Sequence, residues 1–320
     1  MISRRVRFLS LSLALIAMFS SCSIKKAAFN SVADMLAPPS SAKPAEGPNP
    51  MVALTGESDP KIVQDFFPTA LKIYEMMHLS NPEHQALAVM TGQLYVMYAA
   101  AFVQGPAERL PAESYDLQEE EYGRAQVFYV RGADYVLKGL NARYRGFSEA
   151  VFSLDEAARE STLSACKKTD ADALYWAGAG ILGAFSLSPL DTAYIERLPG
   201  AVAMLERSVA VDPLFNRGAA WEALTQFYAA APESLGGGKD KAQAAFAKAL
   251  EISGGTNPST YLAYARSFCI PAQDGAGFDE YIEKALSIDP ESDPDNRLML
   301  VIARKQALWL KAHKADFILE

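Results

Sequence analysis

A chain of 320 residues, half of them hydrophobic and 21% charged, is long enough to bury a sizeable core in one or two domains. Its net charge of -8 and pI near 5.1 exclude a nucleic-acid-binding surface, which needs a basic face to attract phosphates. Its partners are therefore expected to be proteins or small molecules.

The chain opens on an export leader. Arg4, Arg5 and Arg7 form a basic start, and Phe8 to Phe19 is an apolar run too short for a transmembrane span of roughly 20 residues. FSSC follows, ending at Cys22, where small residues precede a cysteine as at a lipoprotein processing site; Phe19 stands where leucine is usual. Residues 1–21 thus read as a lipoprotein signal peptide, Cys22 as the lipidated residue, and 22–57 as an N-terminal tether. Within that tether Ile24, Ala28, Val32, Met35 and Leu36 share one face of a short helix able to lie against the body. Ala37 to Pro50, rich in proline, serine and alanine and without apolar period, reads as flexible.

Residues 58–320 read as a single all-α domain, with nothing that alternates like a strand. Pro60 to His78 carries Ile62, Phe66, Ala70, Ile73 and Met77 on one side, and Asn81-Pro82 then starts an apolar segment, Leu87 to Val103. The acidic run from Ala112 to Glu121 reads as a solvated turn before a helix over Tyr122 to Tyr144, whose inner side holds Ala125, Ala133, Val136 and Leu140. Leu154 to Cys166 and Asp172 to Leu187 continue the pattern, and a loop containing Pro189 and Pro199 leads into Ala201 to Pro213.

LERSVAVDP, FAKALEISGGTNP and IEKALSIDP share one outline: charge, two apolar positions two residues apart, then proline. Val209, Leu250 and Leu286 correspond, as do Val211, Ile252 and Ile288. Leu250 and Leu286 are 36 residues apart, near the period of about 34 of tetratricopeptide repeats, whose helical pairs bury their apolar faces only by stacking on neighbours. The best punctuated unit is Glu233 to Pro258. Gly236 to Gly238 turn the chain, Ala242, Ala245, Phe246, Ala249 and Leu250 line one helical face, and Gly254-Gly255 stop it before Asn257-Pro258 caps the next helix.

No catalytic constellation emerges. His78, His84 and His313 lack metal-ligand spacing, so no metal is expected. Cys166 and Cys269 lack a CxxC partner and read as buried small residues, able to pair only if the fold brings them together. Gly178, Gly180 and Gly183 fit GxGxxG but have no preceding strand, and GGGK at Gly236 to Lys239 lacks the earlier glycine and the hydroxyl of a phosphate loop. Neither implies a cofactor. Arg143, Arg145 and Arg266 could meet an organic carboxylate bidentately or serve in ordinary salt bridges.

DALYW at Asp172 to Trp176, LERSVAVDP at Leu205 to Pro213, PESLGGGKDKAQAAFAKALEISGG at Pro232 to Gly255 and RKQALWLKAHKADFIL at Arg304 to Leu319 resemble the T component (TatT) of tetratricopeptide-associated TRAP transporters. The resemblance spans nearly the whole chain beyond the leader. It implies a non-enzymatic lipoprotein anchored to the cytoplasmic membrane and facing the periplasm, with helical hairpins stacked as diverged repeats. It further implies association with a periplasmic TRAP-type substrate-binding protein, a homotrimer, and an apolar passage through each subunit for a hydrophobic small molecule such as an organic acid. On that reading Tyr175, Trp176, Gly180, Trp221, Tyr228, Tyr261 and Tyr264 are candidates to line the passage; without it they are ordinary core. A periplasmic scaffold that handles no ligand is the alternative.

Overall fold

Asparagine and aspartate caps, first-turn prolines and glycine stops cut this chain into helices. The computed structural model describes residues 29–38 and 51–319, and every described element is helical, with no strand among the described residues. The leader and Cys22 lie outside the described residues, as do most of the tether and Glu320.

Helix α1 (29–36) docks on the body. Ala33 and Ala37 are fully buried against Leu87, while Val32 and Met35, expected to face inward, are 48% and 68% exposed. Polar anchoring turns the helix this way. Asn81 donates to Asn30 Oδ1 at 2.6 Å, the Tyr74 hydroxyl donates to the Leu36 carbonyl at 2.8 Å, and His84 Nε2 lies 3.1 Å from Asp34.

The largest core joins α3 (Pro60–Ser80), α4 (Gln85–Tyr98), α6 (Tyr115–Arg143) and α9 (Ala171–Leu187). Asp59 caps α3, accepting from the Lys61 N–H, and Pro60 fills its first turn. The buried stripe of α3 is Val63, Phe67, Ala70, Leu71 and His78. Ile62, Phe66 and Ile73, expected inside, stand exposed with Met76 on the other side. Apolar residues encircle α3, so periodicity alone does not select its packed face. The continuous helical stretch Gln85–Ala107 is long and apolar enough to span a membrane, yet 67% of its most apolar window is buried inside the protein, which makes it a core element.

Glycines let the helices of this block touch backbone to backbone. At the α4–α6 crossing, a Cβ on Gly132 would lie 2.8 Å from the Gly92 carbonyl oxygen. A Cβ on Gly180 would lie 3.0 Å from the Tyr129 carbonyl oxygen of α6. The GxGxxG pattern is thus a packing device between α9 and its neighbours.

Two further expectations are corrected. The acidic run 112–121 is mostly helix: after a 3-10 turn at Ala112–Ser114 it forms the first two turns of α6, because the acids suit a helix N-terminus. Pro199 lies inside α10 (Thr192–Val211). It removes one backbone donor, but the turns around it bury Leu198, Ala201, Val202 and Leu205, which holds the helix together. Short helices α7 (Phe147–Val151) and α8 (Glu156–Ser164) join α6 to α9, and α5 (Gly105–Ala107) ends the α4 stretch.

The remaining helices stack as hairpins: α11 (Ala219–Ala230) on α12 (Lys239–Ser253), then α13 (Pro258–Tyr264), α15 (Gly275–Leu286) and α16 (Arg297–Ala312), with α14 (Ile270–Ala272) between α13 and α15. Helix α12 follows its sequence outline. Gly236 and Gly238 turn at φ 88° and 130°, Gly254 stops the helix at φ 57°, and Asn257 Oδ1 accepts from the Ser259 N–H at 3.1 Å. Ala242, Ala245, Phe246 and Ala249 are buried, and Leu250 is partly so. One core forms around α10–α12 and another around α13, α15 and α16. Helix α16 then packs on α2 (Val52–Thr55) and α3, so the end of the stack closes against its beginning.

Candidate functional site

That closure shapes a cavity of about 1810 Å³, open to solvent at its mouth, where the cores meet. It exceeds the 300–1,000 Å³ common for small-molecule sites. Phe67 of α3, Val96 and Met97 of α4, Trp176 and Leu182 of α9, and Ile302 of α16 supply its apolar wall.

Two helices break their regular winding at this wall. Ala99–Gln104, between α4 and α5, and Ala265–Cys269, between α13 and α14, are π-helical, and both contribute lining residues. Such widened turns re-aim side chains and recur at functional sites. Pro106 and Pro271, which lack the N–H that a regular helix would use, follow each one closely.

A chain of polar contacts joins the two π-segments. The Tyr129 hydroxyl donates to Gln104 Oε1 at 2.6 Å, Gln104 donates to Glu108 Oε1 at 2.9 Å, and Arg266 Nη2 meets Glu108 Oε2 at 2.8 Å. All four residues line the cavity, as does Arg109 beside them. Burial pushes the Tyr129 hydroxyl far above its usual range, so it stays a neutral donor.

Across the cavity Glu222 of α11 accepts from Asn257 Nδ2 at 2.7 Å and from the Thr260 hydroxyl. Burial raises its carboxyl to about 7, against the opposing pull of the Thr260 hydroxyl and Arg217. Arg217 holds the loop before α11 to its surroundings, pairing with Asp293 and donating to Thr256 Oγ1 at 2.7 Å. Asn216 and Arg217 adopt φ 44° and 56°, values non-glycine residues rarely take. These contacts hold that backbone at the cavity edge.

Of the residues singled out from sequence, Tyr175 and Trp176 line the cavity. The other aromatics and Gly180 pack elsewhere. Gly180 fills the α6–α9 contact, Trp221 packs against the second core, and Tyr228 lies in that core with its hydroxyl donating to Glu206 at 2.7 Å. Tyr261 and Tyr264 join the third core, where Tyr264 stacks on Tyr281 with ring centroids 3.9 Å apart. Arg143 pairs with the buried Asp170 at 2.9 Å, Arg145 is exposed, and Arg266 is in the cavity wall.

Gln104, Glu108, Arg109 and Glu222 escaped sequence reasoning; the two prolines that follow the π-segments are the local signal that points to part of this wall. His84 caps α4, its Nδ1 accepting from the Leu87 N–H at 3.2 Å, and buried His78 packs edge-on against Tyr135. Cys166 and Cys269 are free thiols buried in separate cores. Among the described residues no group of three or more His, Cys, Asp and Glu could hold a metal ion.

A relative from Treponema pallidum (strain Nichols), described as an uncharacterized protein, is 44% identical over 302 residues, covering 93% of this chain and 94% of its own length. The family model for the TRAP transporter T-component matches residues 56–318, from the turn before α3 to the residues that follow α16. With most of the sequence matched, the helical stack and its cavity are those of a member of the TRAP transporter T-component family.

Proposed function

We propose that this protein is a non-enzymatic accessory lipoprotein of a TRAP-type uptake system. It binds a periplasmic substrate-binding protein and shields a hydrophobic small molecule, such as an organic acid, in its cavity during handover. The observation that carries this reading is the large, mostly apolar lumen between the cores. Acylated Cys22 anchors the chain to the cytoplasmic membrane from its periplasmic side, and the body works as a homotrimer. Tyr175 and Trp176 contact the ligand; Gly180, Trp221, Tyr228, Tyr261 and Tyr264 support the walls from behind. Native mass spectrometry of the complex isolated from the periplasm tests the reading. A trimer carrying TRAP-type binding protein is expected, and recovery without any solute-binding protein would sink it. A mass at the N-terminus lacking acyl groups, or a Cys22→Ser chain still held in the membrane fraction, would remove the anchor.

One observation favours a periplasmic scaffold instead. Ile62, Phe66, Ile73 and Met76 form an exposed apolar stripe along α3, a surface suited to another protein and unrelated to the lumen. Ala179→Trp, which fills the cavity from its wall, separates the two readings. Uptake should fall sharply if the lumen is used, and unchanged uptake with intact folding would favour the scaffold.

A further inference from the structure

The polar end of the cavity contains more positive charge than it neutralises. Arg266 and Arg109 both face the lumen, and Glu108 is the carboxylate between them. Both Glu108 oxygens are already hydrogen-bonded: Oε1 accepts from Gln104 and Oε2 from Arg266. Among the described residues no carboxylate or hydrogen-bond acceptor reaches the Arg109 guanidinium. Burial lowers the affinity of Arg109 for its proton, Glu108 opposes that and Arg266 adds to it, yet a guanidinium keeps its charge at neutral pH. A half-buried cation without a partner is costly. Glu108 offsets part of it from a distance, while the neighbouring tyrosine, glutamine and glutamate make their hydrogen bonds to one another and to Arg266.

We propose that Arg109 is the anchor for the carboxylate of an amphipathic monocarboxylic acid whose apolar chain lies along Val96, Met97, Trp176 and Ile302. The proposal rests on the ligand-handling reading above and adds the polar group, its orientation and its receptor. A planar carboxylate matches the fork of the guanidinium with two parallel N–H···O bonds. One negative charge balances the cluster, in which two arginines face one glutamate. The apolar lumen accommodates the chain but does not discriminate closely among lengths, since one methylene changes affinity by roughly 10–200-fold at most in a fitted pocket and less in a wide one.

The test is calorimetric titration of the processed full-length chain with decanoate, decan-1-ol and decyl phosphate. Decanoate is expected to bind at least about tenfold more tightly than decan-1-ol, the scale of one charge-assisted hydrogen-bonded pair. Arg109→Gln should abolish that preference and leave the alcohol unaffected. Glu108→Gln, which leaves two guanidinium groups facing the lumen without a counter-charge, should tighten decanoate severalfold. Equal binding of decanoate and decan-1-ol to the wild-type chain, or a preference that survives Arg109→Gln, would overturn the assignment and leave the ligand-handling reading standing. Tighter binding of decyl phosphate than of decanoate would overturn the choice of carboxylate. If none of the three binds, the ligand-handling reading falls and takes the anchor with it. Should Arg109→Gln fail to fold, absence of any gain in Glu108→Gln overturns the proposal.

Discussion

The N-terminal helices and the C-terminal hairpins are both helix stacks, but they make contact in opposite ways. In the first, glycines sit inside the helices and backbones meet directly, as at Gly92 and Gly132. In the second, glycines sit in the turns or in the opening turn of α15, and alanines together with Phe246, Tyr264 and Tyr281 fill the space between helices. Direct contact leaves no room for a lumen, whereas side chains of mixed size hold helices further apart. The cavity opens where one style gives way to the other, between α4 and α9 on one side and α11 and α16 on the other.

The comparison can be broken most forcefully at Phe278, fully buried in the third core. Phe278→Ala should cost about 3–5 kcal/mol in urea unfolding. A loss below about 1 kcal/mol would mean that aromatic filling does not hold the hairpins. Glu222 comes next. Its carboxyl titrates near 4.5 when unfolded and at about 7 in the fold. Between these values the folded chain holds a proton that the unfolded chain has lost. The contribution of Glu222 to stability is therefore greatest below pH 4.5 and declines as pH rises to 7, by about 3 kcal/mol. Glu222→Gln keeps the oxygen that accepts from Asn257 and Thr260, so its melting temperature should be nearly flat over that window and higher than wild type above pH 7. An unchanged slope would show that another group is responsible.

Two glycine substitutions then sharpen the contrast. Gly92→Ala should destabilise by about 1–3 kcal/mol, because the added carbon meets the backbone of α6. Gly123→Ala, in α6 but with nothing within 4 Å, should stabilise by about 0.5–1 kcal/mol, the intrinsic preference of alanine for helix. If both changes had the same sign, backbone contact at the α4–α6 crossing would not explain the glycines.

The hairpins were legible because their punctuation is local. Gly236, Gly238, Gly254 and Asn257 mark the ends of α12 within a few residues of where they act. The face of α3 was not legible, since its apolar residues surround the helix and only the position of α4 decides that Phe67, not Phe66, is inside. Pro199 misled for a related reason: burial on both sides of it outweighs one missing hydrogen bond. In the cavity, Tyr175 and Trp176 stand out as adjacent aromatics in a helix rich in alanine and glycine. Tyr261 and Tyr264 looked the same in sequence, but they face a separate aromatic cluster. The Glu108–Arg266 link spans 158 residues, and no local pattern announces a pairing that the closure of the stack creates.

The π-segments carry a consequence for how this wall could arise and be lost. Each residue advances a regular helix by about 100°, and a wide turn absorbs one extra residue without passing that rotation on, so the helix beyond it keeps its phase. Deleting Ala101 should restore the ordinary winding of Ala99–Gln104 and leave Glu108 and Arg109 close to their present places around the helix axis. The charged end of the lumen therefore tolerates loss of the wide turn, whereas a single-residue insertion or deletion within regular α4 that is not absorbed in this way would turn it by about 100°.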